Sequence, residues 1–328
     1  MSASHASHAS RGSRAPLAGP YPILPQDIGE LNVLFSDAFT ERYRRDGLVG
    51  VRVPPLNPAI WRYAIDDSGS GAMLWRDAAG AIAAFNIAHA SGAEGWMGPL
   101  AVCVAGQGTG QGKAIVRAGI AHLAAVGCRT IGLETMPRTV DNIGFYAGLG
   151  FVPGHLTVTV TLEAGAVPTV RDLLSLLGPV DRDDAIAECA TLADAMLPGA
   201  DYTREIRLTH ELSLGDTLLF RRGGALAGFA LCHAAPLVES RSREELRVLK
   251  LLAVDLDAFT AMLPALCALA RRSATVRAAI RMQGEHGDAF GKAVEAGGRV
   301  RWTDLRMTLG GYPQVFAQRG VALSNWEI

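Results

Sequence analysis

The chain has 328 residues, of which 49% are hydrophobic and 19% are charged, and its formal net charge is −1. This length predicts two domains of about 100–200 residues, each with enough apolar residues to form a core. A near-neutral charge without a basic run argues against nucleic acid or an acidic membrane surface as a partner. The longest apolar run, 251–270, contains two aspartates and a proline, which argues against a membrane span.

The ends and the cysteines of the chain indicate its compartment. Residues 1–20 are rich in Ser, Ala, His, Gly and Pro, which predicts a disordered tail. This N-terminus has no apolar signal core, so we expect a cytoplasmic protein. The five cysteines are scattered and never in C-x-x-C spacing, which predicts buried thiols and neither a disulfide framework nor a metal site.

The first elements after the tail are helical. Apolar residues at helical spacing predict one helix from Ile28 to about Tyr43 and a second over Asn57–Ile65. Residues 73–76 and 81–88, separated by a turn, predict an antiparallel hairpin. A buried strand is then expected at 98–104.

The most informative stretch follows this strand. The glycine-rich residues 107–113 precede a helix whose apolar periodicity ends at Gly127, a residue suited to the C-cap. A strand, a glycine turn and a helix direct backbone N–H groups and the positive end of the helix dipole at one point, which suits a phosphate or pyrophosphate. The dinucleotide pattern G-x-G-x-x-G and the P-loop pattern both fail here. The pattern Q-x-x-G-x-G fits, through Gln107, Gly110 and Gly112.

Three further elements follow in order. Residues 129–135 predict a strand, and residues 142–151 predict a helix that carries Asn142 and Tyr146 and ends in a Gly-Phe turn. Residues 156–162 alternate strictly between apolar and polar, as in a half-buried strand.

Over Gly98–Leu162 this combination resembles the GNAT (GCN5-related) N-acetyltransferase superfamily. The resemblance implies an α/β (α+β) fold, a mixed and mostly antiparallel central sheet flanked by helices, with the first helices over an acceptor pocket. It also implies that the strand before the loop bulges, splays from its neighbour and hydrogen-bonds the pantetheine arm of acetyl-CoA. The residues expected to bind this cosubstrate are Leu100, Ala101, Val102, Gln107, Gly108, Thr109, Gly110, Gln111, Gly112, Lys113, Asn142 and Tyr146.

The second half of the chain repeats the first. Residues 80–90 parallel 224–234, Leu100–Val102 recur as Leu252–Val254, and Thr161–Leu162 recur as Thr308–Leu309. This constant order predicts a duplicated domain, with a GNAT domain at 21–165, a link at 163–168, a degenerate copy at 169–310 and a C-terminal tail at 311–328 that packs against one of them.

The second copy has lost the expected chemistry. It has Asp255–Met262 in place of the glycine turn, where two carboxylates would repel a pyrophosphate, and Ala293 or Val294 in place of the tyrosine. We therefore expect one acetyl-CoA per chain, bound by the N-terminal domain, although two active halves are an alternative.

The resemblance implies that Tyr146 is the general acid that protonates the leaving thiolate, or that it donates a hydrogen bond to it. The alternative is that Tyr146 only packs, as an aromatic residue on a helix commonly does. Asn142 either contacts the pantetheine or the tyrosine, or caps its helix. For the general base, Glu94 and Glu134 are weak candidates beside a water relay. His89 is expected to be structural because His233 matches it in the inactive copy, and Trp61, Trp75 and Trp96 either line the acceptor pocket or, as we favour, pack in the core.

The predicted function is acetyl-CoA-dependent acetylation of a primary amine on a small molecule, by direct attack and without a metal. The second domain would replace the second subunit of dimeric relatives, which predicts a monomer with an internal pseudo-dimer, or a homodimer. The alternatives are a protein or peptide amine as acceptor, and a coenzyme A-binding sensor or scaffold without turnover.

Overall fold

The computed structural model of the chain describes residues 17–165, 172–239 and 241–327. Within these ranges two similar halves contain eight α-helices and twelve β-strands. The elements of the first half are β1 (Ala18–Pro22), α1 (Ile28–Arg45), α2 (Pro58–Ser68), β2 (Ala72–Arg76), β3 (Ile82–Ser91), β4 (Glu94–Val102), α3 (Gln111–Ala125), β5 (Thr130–Thr135), α4 (Val140–Ala147) and β6 (Phe151–Glu163). Those of the second half are α5 (Pro179–Met196), α6 (Thr203–Glu211), β7 (Gly215–Arg222), β8 (Ala225–His233), β9 (Glu245–Ala253), α7 (Leu256–Arg272), β10 (Arg277–Gln283), α8 (Gly287–Glu295), β11 (Arg299–Leu309) and β12 (Val321–Ser324).

The predicted N-terminal tail and the predicted link lie largely outside the described residues. Of the tail at 1–20, the residues from Ala18 onward belong to β1, which pairs with β2. The first described strand thus starts three residues before Tyr21, the predicted start of the fold. Of the link at 163–168, only 163–165 are described, and Glu163 ends β6.

All twelve strands of the described chain join one sheet in the order β1-β2-β3-β4-β5-β11-β6-β10-β9-β8-β7, with β12 paired to β9. Only β4–β5 and β9–β10 are parallel, and they occupy matching places in the two halves. This confirms the predicted fold class, a mixed and mostly antiparallel sheet flanked by helices.

The two halves exchange the strands β6 and β11. β6 pairs with β10 of the second half, and β11 pairs with β5 of the first half, while β6 and β11 pair with each other in the middle. Each half-sheet is thus completed by a strand from the other half. The two halves cannot separate without breaking these ladders, so the domain limits along the chain stay a prediction.

The helices of the first half cover the sheet where sequence periodicity predicts. The apolar face of α1 buries Leu31, Leu34 and Phe35. α2 begins after Asn57, whose side chain accepts a hydrogen bond from the Ala59 N–H (3.0 Å), and Pro58 at the first helical position needs no donor. Both helices pack against β3, and the predicted helix starts were accurate to a residue.

β4 is irregular where the site will form. Its register with β3 shifts between the pairs Asn86–Leu100 and Ala88–Met97, which marks a bulge beside Pro99. Among the described residues β4 pairs with β5 only from Glu94 to Trp96, after which the two strands diverge. The backbone edge of 97–102 that faces β5 therefore remains available to a ligand.

The C-terminal tail contacts both halves, not one as predicted. β12 pairs with Lys250–Ala253 of β9 in the second half. Two residues further on, Trp326 is 1% exposed and lies against Gly132 on β5 of the first half. No helix of the described ranges has the length and apolar character needed to cross a membrane.

Candidate active site

The loop between β4 and α3 has the backbone conformation that its glycines predict. Gly108 has φ +76° and Gly110 has φ +91°, a region that side chains rarely adopt. A β-carbon at either glycine would meet no atom within 4 Å, so both face open space. Gly110 occupies the N-cap position of α3 and offers no side chain to cap it. The first N–H groups of α3 are thus open to an anion.

Side chains brace this loop from within. Gln107 Nε2 donates to the Val102 carbonyl (3.2 Å), and Thr109 Oγ1 donates to the Gly106 carbonyl (2.6 Å). The glutamine of the motif therefore ties the loop back to the end of β4. Of the predicted cosubstrate-binding residues, Thr109 and Gln111 do not line the cavity described next.

A cavity of about 560 Å³, the larger cavity, lies between this loop, α1 and α4. Ten of the twelve predicted cosubstrate-binding residues line it, namely Leu100, Ala101, Val102, Gln107, Gly108, Gly110, Gly112, Lys113, Asn142 and Tyr146. Lys113 adds positive charge, and the loop itself contains no acidic residue. Arg42 and Arg45 from α1 also line the cavity, where each is paired with a carboxylate. Open amides, cations and a free strand edge fit the pyrophosphate and pantetheine of coenzyme A.

A second cavity of about 360 Å³, the smaller cavity, adjoins the first. The two share Phe39, Arg42, Leu100, Asn142 and Tyr146 in their linings. The smaller cavity continues to the bulged segment of β4, to the end of β5, and to residues of the second half and the C-terminal tail. Tyr146 therefore lies at the junction of two connected spaces.

Tyr146 is positioned by aromatic packing on α4. Its ring meets those of Phe145 and Phe151 at 5.1 and 5.9 Å between centroids, in tilted edge contacts. The side chain is 8% exposed, and burial raises the pKa of its phenol to about 12. Its hydroxyl has no hydrogen-bond partner in the described part of the chain. Tyr146 is thus protonated at neutral pH and free to donate to a ligand.

Asn142 does not cap its helix. Thr139 holds the N-cap position of α4, and Asn142 lies inside the first turn. Its amide nitrogen is 3.5 Å from Thr135 Oγ1, and it lines both cavities beside Tyr146. The helix-capping alternative for Asn142 was wrong.

Glu134 reaches the smaller cavity but is held as a structural anion. Burial alone would raise its pKa, yet Arg306 (2.8 Å) and Arg281 (2.6 Å) lower it to about 2. A carboxylate with so low a pKa is a poor proton acceptor near neutrality. We assign Glu134 no role as a base.

Glu94 lies away from both cavity linings. Its carboxylate accepts hydrogen bonds from Trp326 Nε1 (2.9 Å) and Ser324 Oγ (2.7 Å), and lies 3.6 Å from Lys250 Nζ. Burial opposes ionisation, but Lys250 and these donors lower the pKa of Glu94 overall. The group ties the C-terminal tail to the first half, and we assign it no catalytic role.

The paired histidines are buried in separate networks. His89 is within 2.6 Å of Asp67 and stacks on Trp96, while His233 is 2.9 Å from Thr209 Oγ1. The three tryptophans considered for the acceptor pocket, Trp61, Trp75 and Trp96, are core residues exposed by 0–7%. Instead, Trp302 and Trp326 line the smaller cavity.

Sequence reasoning identified none of the residues that the second half and the tail contribute to the smaller cavity. Trp302 and Asp304 arrive on the exchanged strand β11, and Trp326 and Glu327 arrive on the C-terminal tail. No local motif marks these residues, because strand exchange and the path of the tail bring them in from far along the chain. Among the described residues no group of His, Cys, Asp and Glu side chains could hold a metal.

Comparison with known proteins agrees with this geometry. Residues 35–151 match the model of the Acetyltransferase (GNAT) family. A putative acetyltransferase from Pyrococcus horikoshii is similar in structure over 98% of this chain and 99% of its own, with a TM-score of 0.67 and 16% identity. A GCN5-related N-acetyltransferase from Sphaerobacter thermophilus is similar over 91% and 97%, with a TM-score of 0.56 and 13% identity.

A tandem GNAT protein from the clavulanic acid biosynthesis pathway is similar over 90% of this chain and 98% of its own, with a TM-score of 0.55 and 12% identity. At these identities the likeness shows the fold. A search of curated protein sequences gave no significant match. Residues 35–151 of the first half therefore belong to the GNAT acetyltransferase family. The whole chain has the fold of two GNAT-like halves in tandem.

Proposed function

We propose that this protein transfers the acetyl group of acetyl-CoA to a primary amine of a small molecule. The observation that carries the proposal is the position of Tyr146, a protonated phenol without a protein partner among the described residues, where the larger and smaller cavities meet. A thioester bound in the larger cavity would present its sulfur at this junction.

The larger cavity would bind acetyl-CoA, and the smaller cavity would bind the amine. The open amides of α3 and the side chain of Lys113 would bind the pyrophosphate, and the free edge of 97–102 would bind the pantetheine arm. The amine would enter the smaller cavity and attack the carbonyl carbon, so that a C–N bond forms as the C–S bond breaks. Tyr146 would give its proton to the departing sulfur, and solvent would reprotonate the phenolate.

A small acceptor suits the size and walls of the smaller cavity. A volume of about 360 Å³ lies at the low end of the range for sites that bind drug-sized ligands. Its walls include the aromatic residues Phe35, Phe39, Tyr43 and Trp302. A space of this size accommodates a short acceptor, which we favour over a peptide amine.

Tyr146→Phe tests the proposal because it removes the hydroxyl and keeps the ring. We expect thiol release from acetyl-CoA with a panel of small amines to slow by about 10²-fold or more, with acetyl-CoA affinity unchanged. Tyr21→Phe, on the exposed strand β1, is the matched control and should leave the rate unchanged. An unchanged rate in Tyr146→Phe would show that Tyr146 is not the general acid. Acetyl-CoA binding without thiol release on any amine would favour a sensor.

A further inference from the structure

One end of the smaller cavity is a cluster of five charged side chains from four elements. Arg281 on β10 contacts Glu134 (2.6 Å), Asp304 on β11 (3.0 Å) and Glu327 on the C-terminal tail (2.8 Å). Arg306 on β11 contacts Glu134 as well. Three carboxylates thus share two guanidinium groups.

The three carboxylates differ in access to the cavity. All three line the cavity, but the side chains of Glu134 and Asp304 are 0% and 2% exposed, whereas that of Glu327 is 49% exposed. Glu327 is therefore the carboxylate of the cluster that a ligand in the smaller cavity would meet.

The backbone around Glu327 is well anchored. Its N–H donates to Asn325 Oδ1 (3.0 Å), and the neighbouring Trp326 is clamped between Glu94 and the guanidinium of Arg306, which lies 3.8 Å from the ring centroid. β12 fixes the tail just before this point. The anchored backbone therefore holds the Glu327 side chain in position, as a catalytic group requires.

Desolvation and the neighbouring carboxylates hold the pKa of Glu327 above its ordinary value. Partial desolvation of the half-exposed side chain and repulsion from Asp304 and Glu134 raise this pKa to about 7, whereas Arg281 and Arg247 on β9 lower it. Tyr43 and Arg42 on α1 face the same space. A carboxyl group in this range can accept a proton and then release it to solvent.

We propose that Glu327 is the general base of the acetyl transfer and that the acceptor carries a primary ammonium group on an apolar or aromatic body. This inference rests on the proposed function. The exposed Glu327 carboxylate attracts the ammonium when it is ionised, and the aromatic walls, with Trp302 42% exposed, accept the rest of the molecule.

The proton balance follows from these positions. The ammonium gives one proton to the Glu327 carboxylate, which passes it to solvent, and the neutral amine attacks the carbonyl carbon. The nitrogen loses its second proton to solvent as the amide forms. The departing sulfur takes the proton of Tyr146, which solvent replaces, so that one proton is released per acetyl group transferred.

Glu327→Gln is the decisive variant, with phenethylamine as the amine probe. In the wild type, kcat/KM should rise with pH through an apparent pKa near 7, because the base acts only when ionised. The variant should lose this limb and transfer acetyl about 10²-fold more slowly, with acetyl-CoA affinity unchanged. Glu295→Gln, an exposed carboxylate on α8, is the matched control and should retain the wild-type rate and profile.

A binding measurement separates this inference from the proposed function. In the presence of coenzyme A, calorimetry should show that the wild type prefers phenethylamine to 2-phenylethanol and that Glu327→Gln loses this preference. If Glu327→Gln turns over at the wild-type rate with the wild-type pH profile, Glu327 is not the general base, and the proposed acetyltransferase activity still stands. Equal wild-type affinity for the amine and the alcohol would overturn the acceptor class.

Discussion

The two halves differ most where each parallel strand pair meets its helix. In the first half, residues 103–110 form an open loop between β4 and α3. In the second half, only Val254 and Asp255 separate β9 from α7. The Asp255 side chain accepts a hydrogen bond from the Ala258 N–H (2.7 Å) and pairs with Arg222. The amides that would bind a pyrophosphate are thus offered in one half and capped by a carboxylate in the other.

The neighbouring groove shows the same contrast. In the described chain the edge of 97–102 on β4 carries no strand, whereas the matching edge of β9 at Lys250–Ala253 is covered by β12. The chain itself fills the place that a pantetheine arm would take in the second half. The same tail then continues to Trp326 and Glu327 in the first half. The strand that covers the groove of the second half thus anchors residues that line the smaller cavity.

Trp326→Ala tests this anchoring and should have the largest effect. The side chain is 1% exposed, donates to Glu94 and stacks under Arg306. Its removal leaves a cavity and a buried carboxylate short of a donor, so we expect the free energy of unfolding to fall by about 3–5 kcal/mol. Denaturant titration measures this loss, and acetyl transfer should fall with it because Glu327 loses its support.

Trp302→Ala is the control for the same cavity. Its side chain is 42% exposed, so we expect a small change in the free energy of unfolding and a higher KM for aromatic amines. Equal losses of stability in the two variants would show that the tail does not hold the halves together.

The sequence predicted what depends on local order. The loop at 107–113 and the helix that carries Tyr146 could be located because each is encoded by consecutive residues whose glycines, caps and apolar spacing have direct backbone consequences. The duplicated order of elements followed from the repeat. These predictions needed no knowledge of the partners across the sheet.

The rest depended on contacts distant in sequence. Glu134 resembled a candidate base at the end of a strand, but the two arginines that hold it come from β10 and β11. Glu94 was close to the expected position along β4, but the C-terminal tail encloses it. Strand exchange decides the case of Glu134, and the path of the tail decides that of Glu94. Alternation of apolar and polar residues is the same whether a strand pairs in its own half or in the other.

Gly110→Asp transfers the cap of the second half to the first and should have the next largest effect. An aspartate at this left-handed position would carry a negative charge to the open amides of α3. We expect the Kd for acetyl-CoA, measured by calorimetry, to rise by about tenfold to a hundredfold.

Gly110→Asn separates the effect of charge from that of shape, because asparagine has the same size as aspartate but no charge, and it tolerates the left-handed region. It should weaken binding less than Gly110→Asp. If the two variants bind acetyl-CoA equally, repulsion of the phosphate is not the cause of the loss.

Asp255→Gly is the reverse exchange and should have the smallest effect. Removing the cap frees the first amides of α7 and lowers the thermal midpoint by about 2 °C. It should not create a second site for acetyl-CoA, because β12 still covers the edge of β9 and the strand still runs into the helix without a loop. Calorimetry should therefore give one acetyl-CoA per chain in the variant, as in the wild type. A stoichiometry of two would mean that the cap alone closes the second half, and that the covered groove does not.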